Sequence, residues 1–159
     1  MKKTLICGLL TLAMICGFSS CSDDNDLPDV SFVVNFDDAT EVDGVLYVVQ
    51  GETFDIESIT PINNESNKAV ELGGATYYWD YRPIGASLYK PFAFEITVTP
   101  ATSLGRHILE IYCPVYAVDK APANAIMSYQ VEVVASADDL PVGGNTSVPT
   151  TAQVSKTDN

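Results

Sequence analysis

The side chains able to do chemistry in this 159-residue chain are few, and their spacing is unhelpful to catalysis. There is one histidine, His107, among 21 acidic and 8 basic residues. A nucleophilic triad needs a base held beside its nucleophile, and histidine is the usual base. His107 falls on an alternating run, on the same side as Leu109 and Ile111, where a structural histidine bonding nearby backbone is expected. Cys113 shares that side, but six residues of strand put it about 20 Å from His107, so a Cys–His dyad is not expected. Carboxylates are abundant, and paired carboxylates can cleave glycosides. Asp80 and Glu95 lie on strand-like runs, and Asp37, Asp38, Glu41 and Asp43 crowd one loop. A hard cation such as Ca2+ takes oxygen ligands from loops of this kind. The loop departs from the EF-hand pattern, and a solvated acidic turn is its ordinary reading. No nucleophile elbow, Gly-rich phosphate loop or metalloprotease motif is present. The chain is therefore expected to be no enzyme and to need no cofactor.

Aromatic residues offer a different chemistry. Tyr77, Trp79 and Tyr81 alternate with Tyr78 and Asp80. With Trp79 facing a core, Tyr78 would face outward, joined by Tyr112 and Tyr116 from a later run. Exposed aromatic rings can stack on sugar rings, so these three tyrosines are the candidate ligand contacts. Ordinary cross-strand packing is the alternative.

The elements that must position these residues are strands. Val30–Phe36, Val45–Gln50, Thr53–Ile59, Ala75–Tyr81, Phe92–Thr99, Arg106–Val118 and Ile126–Ala135 read as strand-like runs. Turn signals separate them, among them Asp43-Gly44, Gly73-Gly74 and Pro83-Ile84-Gly85. Phe92, Phe94, Ile96 and Val98 oppose Ala93, Glu95, Thr97 and Thr99; Met127, Tyr129, Val131 and Val133 oppose Ser128, Gln130 and Glu132. One dry and one wet face per strand predicts an all-β, antiparallel sandwich over 30–136. About 100 residues and six or seven strands suit an immunoglobulin-like architecture.

Residues 1–20 lie outside that domain. Lys2 and Lys3 precede an apolar run of 14 residues, Leu5 to Phe18, too short to span a bilayer and suited to a signal peptide. Phe18-Ser19-Ser20-Cys21 resembles a bacterial lipobox, which implies that Cys21 is lipidated and becomes the first residue. The following Ser22, Asp23, Asp24, Asn25 and Asp26 resemble the export signal of Bacteroidetes surface lipoproteins. That resemblance implies an outer-membrane lipoprotein, exposed at the cell surface, on an acidic tether of residues 21–29. Without Lys2 and Lys3, six basic residues face 21 acidic ones, a net charge of −15. So anionic a chain repels phosphate, which excludes nucleic acid as a partner. Cys113 is left as the lone thiol, so no internal disulfide can form.

Within the domain, Gly51-Glu52-Thr53-Phe54-Asp55-Ile56, Tyr77-Tyr78-Trp79-Asp80-Tyr81 and Leu104-Gly105-Arg106-His107-Ile108-Leu109-Glu110-Ile111 resemble, in order, three strands of PKD-type immunoglobulin-like domains. His107 stands where that family has tyrosine, and Arg82-Pro83-Ile84-Gly85 replaces its Gly-Asp-Gly turn. The resemblance implies a PKD-like binding or spacer module for glycan or protein ligands at the outer membrane. The alternatives are a glycan-binding accessory of a polysaccharide uptake system and a carboxylate-dependent hydrolase. Oligomeric state is not legible. Residues 137–159, rich in Gly, Pro, Ser, Thr and Asn, are expected to be disordered.

Overall fold

Alternation of apolar and polar residues dictates the architecture. The computed structural model describes residues 26–157, so the signal peptide and Cys21 to Asn25 fall outside the described residues. Twelve strands form two facing sheets: β1 (Val30–Asp37), β2 (Thr40–Val42), β3 (Val45–Val49), β4 (Thr53–Asn63), β5 (Val70–Leu72), β6 (Ala75–Trp79), β7 (Arg82–Ser87), β8 (Phe94–Thr97), β9 (Gly105–Ala117), β10 (Ala123–Val134), β11 (Ser147–Thr151) and β12 (Gln153–Lys156). One sheet runs β11-β1-β4-β8. The other runs β2-β3-β10-β9-β6-β7, with β12 added to β10 and β5 to β9. All pairings are antiparallel except β3 with β10. Setting β1-β4-β8 against β3-β10-β9-β6-β7 gives an immunoglobulin-like sandwich.

The inward residues are those that alternation selects. On β1 they are Val30, Phe32, Val34 and Phe36; on β10 they include Met127, Tyr129, Val131 and Val133, all buried. Cys113 lies among them on β9 as a buried free thiol, and burial pushes it up to about 12, so it is unreactive. Tyr77 fills the centre, and its hydroxyl donates to the Phe92 carbonyl. Its ring stacks on Phe94, with centroids 4.4 Å apart. Gly85 on the neighbouring strand makes room, since a Cβ there would collide with the Phe94 ring.

Three expectations are corrected. Residues 137–159 are not disordered within the described part: β11 pairs with β1 and β12 with β10. Each strand presents a single large apolar residue, Val148 or Val154, and the pairing is supplied by backbone groups that leave no mark on side-chain pattern. Pro83-Ile84-Gly85 lies within β7 instead of forming a turn. Proline is tolerated there because β7 is an edge strand. The turn comes two residues earlier, at Asp80 and Tyr81, which have positive φ of 48° and 64°. That turn ends the alternation, so Tyr81 does not share the inner face of Tyr77 and is 69% exposed.

Candidate functional site

The outer face of the larger sheet carries the three nominated tyrosines. Tyr78 on β6 and Tyr112 on β9 are half-buried neighbours on adjacent strands, with ring centroids 4.6 Å apart and planes tilted by 52°. The tilt makes them a ridge, not a flat platform. Tyr116 stands four residues further along β9 on the same side and is 50% exposed. Its ring lies over Gly73, where a Cβ would come within 3.0 Å of it. The tyrosines thus form a row across the face. Glu110 is beside it, and the Tyr112 hydroxyl points at its carboxylate at 3.5 Å. Partial burial, then the Glu110 charge, raises the Tyr112 hydroxyl above its ordinary range, so it stays a neutral donor.

The acidic loop is built for turns. Asp38 and Asp43 have φ of 55° and 52°, the left-handed region that aspartate tolerates. Asp43-Gly44 is the two-residue turn joining β2 and β3. Glu41 accepts from the Gly44 amide at 2.6 Å and from the Asn145 side chain at 3.2 Å, while Asp37 accepts from the Asp38 amide at 3.1 Å. Asp37, Asp38, Glu41 and Asp43 are not drawn together: among the described residues no three His, Cys, Asp or Glu side chains converge as metal ligands. Asp26 begins the described chain and is ion-paired to Lys120 at 3.0 Å.

His107 bonds nearby backbone as expected, but the rest of its cluster escaped sequence reasoning. His107 Nδ1 lies 2.7 Å from Asp80 Oδ2, and Nε2 lies 2.8 Å from the Ser103 carbonyl and 3.3 Å from the Ser103 hydroxyl. Asp80 Oδ1 also accepts the Ile108 amide at 3.0 Å. The connectivity is that of a Ser-His-Asp triad, but the proton inventory differs. Both ring nitrogens face oxygen acceptors, an arrangement that favours the doubly protonated imidazolium. A general base needs a free lone pair on Nε2, and here that nitrogen is committed to a backbone carbonyl. Burial, the largest influence, lowers the affinity of His107 for its proton. The Asp80 and Ser103 hydrogen bonds, with the charges of Asp80 and Glu132, together outweigh it and raise the ring above its ordinary value. The Trp79 indole stacks on the ring, with centroids 5.2 Å apart, and also meets Phe54 at 6.4 Å. A cation over an indole adds to the clamp. The signal that could have found it is the spacing of Asp80 one residue past the strand end and opposite Ile108.

Beside Trp79, a cleft of about 300 Å³ opens between the β7 and β8 edges, with Glu95, Thr97 and Thr102 on its rim. Asp80 lines a separate cleft with Arg106 and Gln130, so Asp80 and Glu95 do not face one another across a common site.

No family model matches the chain, and no curated protein matches it. Among solved structures the chain is similar to the fibronectin(III)-like modules of Clostridium thermocellum CbhA, at 14% sequence identity and a TM-score of 0.42. The match covers 75% of this chain and 53% of that one, so the chain spans about half the length of the structure it resembles.

Proposed function

We propose that this chain is a non-catalytic, lipid-anchored module of the outer membrane that holds a neutral glycan at the cell surface. Cys21 would carry the lipid, and Ser22 to Asp26 would direct export. The observation that supports ligand binding is the row of Tyr78, Tyr112 and Tyr116 on the outer face of the larger sheet, half-buried at the first two and 50% exposed at the third. Aromatic faces pack on the C–H faces of sugars, while hydroxyl and carboxylate groups beside them, here Tyr112 and Glu110, meet the sugar hydroxyls. The anionic surface disfavours charged polysaccharides of the same sign. Asp80 and Glu95 line separate clefts, which speaks against the carboxylate-dependent hydrolase.

The test is a glycan array followed by calorimetry on the best neutral polysaccharide, comparing the unaltered protein with Tyr78→Ala/Tyr112→Ala. Loss of a central aromatic anchor is expected to weaken binding about tenfold or more. Binding to no polysaccharide, or unchanged affinity in the double variant, would shift the role to a spacer or to a protein ligand.

A further inference from the structure

The two ends of the sandwich differ in charge. Lys68, Lys90, Lys120 and Lys156 are all the lysines of the described chain, and all lie toward one end. Lys68 is in the segment between β4 and β5, and Lys120 is in the β9–β10 hairpin. Lys90 reaches Glu71 on β5, and Lys156 pairs with Ala123, the first residue of β10. They are set among Asp26, Asp29, Glu65, Glu71 and Asp119, three of the four in ion pairs of 2.6 to 3.0 Å. This end is close to neutral. The remaining thirteen described carboxylates share the surface with Arg82 and Arg106 alone.

The same end presents apolar side chains and the start of the described chain. Val118 at the hairpin tip is 57% exposed, and Ile62 at the end of β4 is 42% exposed. Asp26 is fixed there: its carbonyl accepts the Ala121 amide at 3.0 Å, and its carboxylate holds Lys120. Asp29 is tied alongside, its carbonyl accepting the Asn64 amide at 3.0 Å. Four residues separate Asp26 from Cys21, so the five steps between them reach at most about 18 Å.

We infer that this end, formed by the 63–69 segment and the 117–122 hairpin, rests on the lipid surface, so that the sandwich stands upright on the membrane. The inference rests on Cys21 being the anchor. A tether so short cannot let the far end approach a bilayer without laying the whole domain flat. Lysine stems can lie along apolar surface, and the ammonium group of Lys156, outside those ion pairs, can reach headgroups. Val118 and Ile62 can enter the interface, and a near-neutral end avoids the repulsion that the rest of the surface would meet at anionic lipids. The outer face carrying Tyr78 and Tyr112 then stands at right angles to the membrane, open to solvent.

The experiment is hydrogen exchange on the chain beginning at Cys21, coupled through that thiol to a maleimide lipid in vesicles of phosphatidylcholine and phosphatidylglycerol at 4:1. Cys113 is buried and does not compete. Amides of 63–69 and 117–122 are expected to exchange several-fold more slowly on vesicles than in free protein, with 38–44 and 135–146 unchanged. Ile62→Glu/Val118→Glu is expected to abolish the difference. Equal protection at both ends, protection of 38–44 instead, or none at either end overturns the inference. Because the lipid is supplied chemically, this outcome is separate from the anchor itself. Intact mass of the chain secreted by a lipoprotein-processing bacterium reads that: Cys21 without acyl chains removes the anchor, whatever the exchange shows.

Discussion

The two open sides of the sandwich are closed by different physics. On one side, where β1 would end its sheet and the first residues of β10 would lie unpaired ahead of β3, the chain from Ser147 to Lys156 lays β11 on one sheet and β12 on the other. Nearly everything it contributes is backbone pairing: only Val148 is fully buried, with Ala152 and Val154 packed partly against the core. On the other side, β7 and β8 remain edges. There closure is aromatic: Phe94 over Tyr77, Trp79 between Phe54 and the His107 clamp. An edge can thus be protected by supplying a strand or by packing rings across the gap.

The largest effect separating the two is expected in the aromatic side. Tyr77→Ala removes a ring buried to 0% exposure and its bond to the Phe92 carbonyl. A loss of about 3–5 kcal/mol is expected, measured by urea denaturation. Gly85→Val, which forces a side chain into the Phe94 ring, is expected to fall in the same direction. A loss below about 1 kcal/mol for Tyr77→Ala would mean the aromatic contacts are incidental and the sheets close without them.

Removing residues 145–159 tests the other side. The deletion takes the strap from β1 and β10, uncovers Phe32 and Val34 neighbours, and leaves the Tyr129 hydroxyl without Thr150, its partner at 2.7 Å. Burial of one valine with two partly buried apolar residues is worth about 2–3 kcal/mol. The bared β1 edge is also a template for pairing with another chain. A lower urea midpoint together with concentration-dependent association by light scattering is therefore expected. An unchanged midpoint and a monomer would show the strap to be an ornament of the fold.

That contrast also explains what the sequence disclosed. The aromatic side was legible because side chains do its work: Phe94, Ile96, Val98, Tyr77 and Met127 alternate, and alternation fixes which face is dry. The strap was illegible because hydrogen bonds to β1 and β10 are made by backbone groups every residue owns, so Ser147-Val148-Pro149-Thr150-Thr151 reads as a polar linker. Short β2, β5 and β7 were missed for the same reason. At the candidate site, alternation placed Tyr78, Tyr112 and Tyr116 on one face. It could not reveal that their rings are tilted, which depends on register across β6 and β9. Backbone bonding by His107, here to Ser103 four residues away, was expected, whereas Asp80 was hidden because it is 27 residues away and meets the ring only through the turn at Asp80-Tyr81.

The smallest expected effect is also the most selective, because the one histidine of the chain lies on the aromatic side. His107 is held above its ordinary value of 6.5 as a clamped imidazolium. A group whose folded value is raised stabilises the fold fully below its unfolded value, and that contribution fades as pH rises through the folded one. Stability is therefore expected to decline by on the order of 1 kcal/mol as pH climbs from about 6. Asp80→Asn should flatten the decline, since the neutral amide no longer favours the imidazolium, and His107→Gln should abolish it. The strap offers the internal control. Loss of the proton at His107 frees Trp79 and with it the β7–β8 side, whereas Tyr129 on the strap side is pushed up by burial and stays neutral throughout this window. Amide exchange at 94–97, corrected for intrinsic pH dependence, should therefore accelerate from pH 6 to 8 while that at 147–151 does not. Parallel acceleration of both would mean the sandwich opens as one unit and that its two sides, though built differently, are not independent.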